Sequence, residues 1–218
     1  MNSLIEEEVK RRKITRLIHF TPTINLLNIF ETGLLLSRKR LKEMSLDMPE
    51  LHLDDYIEIN DKLRLDKLTD YINTSIQHTN HYLLETFQKR IASVSWCVIA
   101  ISADVLSLES TLYSVGNAAS NQSQKYGIDG SPESFQALFQ ENVSIGNPVN
   151  NRVLSRSSRL PSYYPTDIQA ESLVYGAIPI SKVQGIYFET HEEMIRSKGA
   201  ISTLGINEFP LFSVEPSL

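Results

Sequence analysis

"YPTDIQAESLVYG", residues 164–176, sets one carboxylate, Glu171, inside a short apolar run that otherwise reads as a β-strand. Two readings are open. On a half-exposed strand, Glu171 belongs to the wet face, where carboxylates mostly sit. Alternatively the strand holds it for chemistry, in which case Gln169 and Glu171, two residues apart, project from one side while Ala170 points into the core. The rest of the chain decides between them.

The 218 residues fit one domain, 1–218, because single cores commonly reach this size before a chain divides. A hydrophobic content of 41% with 22% charged residues is ordinary for a soluble globular protein. No apolar stretch approaches the roughly 20 residues that span a bilayer. The opening MNSLIEEEVKRRK is charged from the outset and lacks the apolar core of a secretion signal, so a cytoplasmic protein without membrane contact is expected. The single cysteine, Cys97, lies in SWCVIAIS and reads as a small core hydrophobe. A net charge of −5 argues against a surface that attracts nucleic acid everywhere. Asn142 to Thr166 nevertheless holds no Asp or Glu and carries Arg152, Arg156 and Arg159. That stretch is either a local groove for phosphates or solubilising surface.

Along the chain, Glu6, Glu7 and Glu8 precede Lys10, Arg11 and Arg12 by four positions, the spacing of an exposed helix over residues 2–13. LIHF, 17–20, reads as a strand that feeds through Thr21-Pro22-Thr23 into a helix with a stripe of Ile24, Leu27, Ile29, Phe30 and Leu34, capped by Gly33. Residues 37–70 read as a charged surface excursion. YINTSI, 71–76, alternates as a strand, and HYLLETFQKR follows as a helix with Tyr82, Leu83 and Phe87 on its buried stripe. VSWCVIAIS, 94–102, is apolar enough for the centre of a sheet. Polar, small-residue text then fills much of 116–166, where only ESFQALF, 133–139, reads as a helix; a connection this long is usually functional or disordered. ESLVYG and KVQGIYFET complete the strands.

Common catalytic signatures are missing. His78 and His81 have no Cys or carboxylate at a spacing that completes a zinc site, so no metal is expected. Neither phosphate-binding glycine motif occurs, and no Gly-x-Ser-x-Gly elbow is present. What remains is dispersed: His19 on an early strand, the polar face of YINTSI with Asn80 beyond it, the loop GNAAS at 116–120, and Glu171. Taken singly, each also has a bland role as a strand residue, a turn or a helix cap.

As an ordered set they resemble a known family. LIHFTPTINLLNIFETGLL, 17–35, looks like the opening block of the DarT-like ADP-ribosyltransferases, a His-x-Thr on the first strand followed by an Asn-containing helix that ends in Gly-Leu. DYINTSIQHTNHYL, 70–83, resembles that family's second block, and GNAAS a block of its guanine-modifying branch. YPTDIQAESLVYGAIPISKVQGIYF, 164–188, resembles its C-terminal block with the catalytic glutamate.

The resemblance implies an α+β ADP-ribosyltransferase fold, a split mixed β-sheet core with an NAD cleft and flanking helices. It also implies a toxin of a toxin–antitoxin pair, which moves ADP-ribose from NAD to a base of single-stranded DNA, guanine being favoured over thymine by GNAAS. A cognate antitoxin, an ADP-ribosyl hydrolase or an inhibitor protein, would be the partner. Glu171 would be catalytic; His19, Thr21, Asn25, Tyr71, Asn73 and Ser75 would hold NAD. Asn80, Asn117, Arg152, Arg156, Tyr163, Tyr164 and Gln169 would meet the acceptor, the last five on or beside a substrate-facing loop of about 120–167 whose tyrosines are free to stack on unpaired bases. One departure stands out: relatives often carry an arginine in the second block, whereas here none occurs before Arg90, which leaves the NAD phosphates to Arg38, Arg40 or Arg152. Two other readings remain, transfer to RNA or protein and a non-catalytic binding module with the same fold.

Overall fold

The strand Trp96–Ser102 organises the molecule, because it is buried from Trp96 through Ile101 and is paired along both edges. The computed structural model describes residues 2–51, 68–146, 151–206, 208 and 210–215; the side chains of Leu51, Gln122, Ile145, Asn151 and Arg152 are not described. In chain order the elements are α1 (Ser3–Arg12), β1 (Arg16–Pro22), α2 (Asn25–Thr32), β2 (Leu34–Leu36), α3 (Arg38–Asp47), β3 (Tyr71–Ile76), α4 (His81–Arg90) and β4 (Trp96–Ser102). They continue with β5 (Leu112–Ser114), α5 (Asn121–Tyr126), α6 (Pro132–Ala137), β6 (Asn142–Gly146), β7 (Asn151–Ser155), β8 (Glu171–Tyr175), β9 (Ala177–Pro179), β10 (Val183–Phe188), α7 (His191–Ser202) and β11 (Leu211–Val214).

Seven strands form one mixed sheet in the order β11-β10-β4-β1-β3-β8-β5, parallel only between β10 and β11. Its register assigns side chains to faces. Leu17, His19 and Thr21 share a face with Ile101, Ile99 and Cys97, and Ile18, Phe20 and Pro22 share the other with Ala100, Val98 and Trp96. The larger core covers the first face under α1, α2 and α7. On the second face a smaller cluster of Ile18, Leu84, Trp96, Val98 and Ala100 lies under α4.

The expected split is visible in the pairing. β1 runs beside β4 for seven residue pairs but meets β3 only at Leu17↔Ile76 and Ile18↔Ser75, after which the strands part. Side chains of both faces then border one opening. This is the α+β, split mixed sheet that the resemblance implied.

Local signals explain most elements. Asn2 accepts from Leu4 N and Ile5 N to cap α1, and the pairs Glu6–Lys10 and Glu8–Arg12 brace it at 2.7 and 2.6 Å. Arg11 departs from the expected spacing by reaching Glu8 three residues back. α2 ends at Gly33 with φ 69°, a left-handed position that favours glycine. Cys97 is fully buried, and burial pushes its thiol pKa up, consistent with a packing role.

Three expectations are corrected. The buried residue of α4 is Leu84, fully enclosed, whereas Tyr82 is 71% exposed. Leu84→Ala is therefore expected to destabilise the fold by about 2–5 kcal/mol in denaturant unfolding, while Tyr82→Ala stays within about 0.5 kcal/mol. Ile24, expected on the buried stripe of α2, precedes the helix and is 42% exposed, and Leu26 is buried instead; residues 37–70 carry a surface helix, α3, capped by Ser37, whose Oγ accepts from Arg40 N, and 52–67 lie outside the described residues. The stretch 120–167 contains α5, α6 and a separate hairpin of β6 and β7. β5, α7 and β11 also form where no element was anticipated.

Candidate active site

Where β1 and β3 part, a cavity of about 490 Å³ opens, within the range of small-ligand sites. His19 spans the gap with its Nδ1 2.9 Å from the carbonyl oxygen of Asn73. A carbonyl only accepts, so Nδ1 carries the proton and the ring is held in one orientation. On the same strand Thr21 is buried, and its Oγ1 accepts from Asn25 Nδ2 at 2.8 Å. Asn25 Oδ1 is buried without a hydrogen-bond partner among the described residues, which suits a wall built for a polar ligand.

Glu171 opens β8, opposite Ser75 of β3 and Ser114 of β5. It is 4% exposed. Its Oε2 accepts from the backbone N–H of Ala118 at 2.7 Å, and Oε1 lies 3.5 Å from Asn73 Nδ2. Ala118 belongs to GNAAS, whose shape comes from an Asn117 turn: Asn117 Oδ1 accepts from Ala119 N at 2.8 Å. The loop approaches closely because residue 116 is glycine; a Cβ there would stand 3.1 Å from Asp167 Oδ2 and 3.2 Å from Ser123 Oγ. Asp167 in turn accepts from Gln169 N at 2.8 Å through Oδ1, and its carbonyl accepts from Ala170 N at 3.0 Å. A turn capped by Asp167 thus delivers Glu171, and the loop it buttresses orients the carboxylate.

Asp167 is 5% exposed, and burial raises its pKa above the ordinary aspartate value. The raised folded-state pKa means that the protonated form folds better. Any stability it confers is complete below the unfolded pKa and lost as pH rises through the folded one. Asp167→Asn, which keeps the acceptor for Gln169 N, is expected to raise the melting temperature at pH 7, with the gain shrinking as pH falls towards 4; a melting series across pH checks this.

His19, Thr21, Asn25, Tyr71, Asn73, Ser75, Asn117 and Glu171 all line this one cavity. The other expected residues whose side chains are described do not. Asn80 is 1% exposed and caps α4, its Oδ1 accepting from Leu83 N at 3.1 Å. Arg156 is consumed by the chain that returns to β8, donating to the carbonyls of Tyr164 and Pro161 at 2.8 Å and to Thr166 Oγ1 at 3.2 Å. Tyr164 packs on His78, ring centroids 5.2 Å apart, and Tyr163 packs on Tyr164 and against the larger core. Gln169 sits in the turn before β8, so it does not share a strand face with Glu171, although Ala170 is buried as expected. The side chain of Arg152 lies outside the described residues. Of the arginines considered for phosphate, Arg38 lines the cavity, while Arg40 pairs with Glu43 at 3.1 Å.

The cavity also enlists residues that sequence reasoning left in the core or on the surface. Phe20, Thr86, Phe87, Arg90 and Trp96 line its end beneath α4. Among the described residues no group of three or more His, Cys, Asp or Glu could hold a metal ion, and no helix is long and apolar enough to cross a membrane.

A buried carboxylate facing a cleft that parts a mixed sheet is the arrangement implied for an ADP-ribosyltransferase. The chain belongs to the family described as ssDNA thymidine ADP-ribosyltransferase, DarT, whose profile matches residues 18–217. It is thus an NAD-dependent ADP-ribosyltransferase. The fold is similar to that of Thermus sp. 2.9 DarT in complex with carba-NAD+ (TM-score 0.59, 13% identity, 93% of this chain and 96% of that chain). It is also similar to Thermosipho africanus DarTG in complex with ADP-ribose (TM-score 0.54, 20% identity, 93% of this chain and 50% of that chain). A third similar structure is Thermus sp. 2.9 DarT in complex with ADP-ribosylated ssDNA (TM-score 0.53, 12% identity, 94% of this chain and 95% of that chain). A comparison with curated protein sequences found no match.

Proposed function

We propose that this enzyme transfers ADP-ribose from NAD to a base of single-stranded DNA, with Glu171 as the catalytic residue and His19, Thr21, Asn25, Tyr71, Asn73 and Ser75 holding the donor. One observation carries the reading: a nearly enclosed carboxylate, fixed by the Ala118 N–H, shares a ligand-sized cavity with a histidine locked across the strand gap. As the bond between nicotinamide and the ribose anomeric carbon breaks, its electron pair leaves with nicotinamide and positive charge grows on the sugar. A carboxylate hydrogen-bonded to the ribose hydroxyl interacts most strongly at that point, and such differential binding lowers the barrier. A base nitrogen then bonds to the anomeric carbon, and its proton passes to Glu171 directly or through one water.

The acceptor base has two supports that point differently. The matching family is described as acting on thymidine, whereas GNAAS, which fixes the Glu171 carboxylate, resembles the block of the guanine-modifying branch. We favour guanine, because that loop directly orients the carboxylate. Incubation with NAD and single-stranded oligonucleotides of defined composition, read by mass spectrometry, is expected to give an ADP-ribosyl adduct on guanine. An adduct on thymine alone would reverse the base assignment, and adducts only on RNA or protein would remove DNA as the acceptor. The substrate-facing segment is 120–167, and a toxin role predicts growth arrest on expression that Glu171→Ala relieves and a cognate antitoxin prevents. A non-catalytic module would arrest nothing.

A further inference from the structure

We propose that Ser114, on the edge strand β5, is a positioning residue for the catalytic carboxylate: its buried hydroxyl donates a hydrogen bond to Glu171 when the donor's ribose engages the carboxylate. This rests on the reading of Glu171 as the catalytic residue. Antiparallel pairing sets Glu171 directly between two serines, Ser75 of β3 and Ser114 of β5. Directly opposed residues project from one face of a sheet with Cβ atoms about 4.5–5.5 Å apart, so both hydroxyls flank the same side chain. Ser75 lines the cavity. Ser114 is fully enclosed and is not part of the cavity wall.

Packing alone does not explain that hydroxyl. Ser114 Oγ is buried without a hydrogen-bond partner among the described residues, which costs folding free energy that an alanine would not. Neighbouring buried hydroxyls show the ordinary solution. Thr74 Oγ1 and Ser172 Oγ are hydrogen-bonded at 2.7 Å, Thr111 Oγ1 donates to the Val105 carbonyl at 3.0 Å, and the Tyr113 hydroxyl donates to the Leu106 carbonyl. Within this group only Ser114 keeps its donor in reserve. Being enclosed and outside the cavity wall, it has no surface for NAD or the acceptor, and the reacting group opposite it is Glu171. A carboxylate accepts at about four lone-pair positions. Glu171 Oε2 receives the Ala118 N–H at 2.7 Å and Oε1 faces Asn73 Nδ2 at 3.5 Å, which leaves room for a further donor from β5.

The backbone around Ser114 is held still. Tyr113 N donates to the Asp129 carbonyl at 2.9 Å, and the Tyr113 ring meets Phe135 edge to face with centroids 5.0 Å apart. Ser114 precedes Ala118 by four residues, so one short segment supplies both the amide that already holds Oε2 and the hydroxyl that joins it. The two donors differ in use. The amide points where the backbone points, whereas a hydroxyl turns about its Cα–Cβ bond and follows the carboxylate. As the ribose hydroxyl engages one oxygen, Ser114 secures the other side, and the charge stays in place while positive charge grows on the sugar.

The test is nicotinamide release from NAD by the full-length protein with an acceptor oligonucleotide present. Ser114→Ala is expected to lower kcat roughly tenfold, as the loss of one hydrogen bond to a charged group predicts. KM for NAD should move by less than about twofold, and the melting temperature should stay at or above the parent's because an unpaired hydroxyl has gone. Ser114→Thr, which keeps the hydroxyl, should recover most of the kcat that Ser114→Val, of the same shape, does not. In a Glu171→Gln background Ser114→Ala should have little further effect on the residual rate, whereas a residue that only packs the sheet would act alike in both backgrounds. Parental kcat in Ser114→Ala, an equal loss in both backgrounds, or a lower melting temperature would overturn the proposal. The two readings fail separately: full activity of Glu171→Gln removes the role of the carboxylate and that of Ser114 with it, while an inactive Glu171→Gln beside a fully active Ser114→Ala removes only the latter.

Discussion

Glu171→Gln is expected to lower adduct formation by roughly 10³-fold or more, equivalent to about 4 kcal/mol of lost transition-state stabilisation, without lowering the melting temperature. Glutamine fills the same space, and its carbonyl oxygen can still accept the Ala118 N–H that Glu171 Oε2 accepts at 2.7 Å. The charge is what disappears. Enclosing a carboxylate at 4% exposure costs folding free energy unless its partners compensate, so the neutral variant should be as stable as the parent or more so. The measurement is paired: single-turnover transfer to an oligonucleotide, and thermal melting of the same preparation. A variant that transfers at the parental rate would end the assignment of Glu171. One that melts many degrees lower would mean that the rate loss reports misfolding.

His19→Ala is expected to reduce kcat/KM for NAD by roughly 10²-fold, mostly through KM, because a group that positions the donor before the chemical step supports ground-state and transition-state binding alike, and its removal weakens both. The side chain does two things at once. It borders the cavity, and its Nδ1 satisfies the Asn73 carbonyl just beyond the last β1–β3 pair. Alanine removes both and leaves that carbonyl without the imidazole. His19→Asn, whose amide can donate to the same carbonyl, should recover stability before it recovers affinity. Steady-state kinetics beside denaturant unfolding of the two variants separates these contributions, and equal effects of both variants on KM and on stability would show that His19 acts only as a strap.

Much of this site is legible in the chain because its parts are local. His19 and Thr21 alternate on one strand, Asn73 and Ser75 on another, and Asn117 carries its own turn, so short patterns place each on an element. Errors arise where the outcome depends on distant partners. Gln169 misses the strand because Asp167 closes a turn around it, and alternation begins only at Glu171. Arg156 reads as a free cation, but three acceptors between Pro161 and Thr166 take up its donors. Tyr82 and Leu84 differ by half a helical turn, and which one faces inward is decided by the sheet beneath α4. The aromatic end was hidden most completely: Phe20 and Trp96 look like core residues, and they are, until two strands separate beside them. No local pattern encodes where a ladder stops.

That early stop has a mechanical meaning. With two pairs joining β1 to β3 against seven joining β1 to β4, the sheet resembles a zipper closed at one end, and within the sheet its two wings are joined by that end and the His19 strap. A molecule lying across the opening and touching both wings would serve as the missing rungs. Occupancy would then couple the wings into one cooperative unit, strengthening hydrogen-exchange protection in β1 and β3 and raising the melting temperature in proportion to the logarithm of ligand concentration.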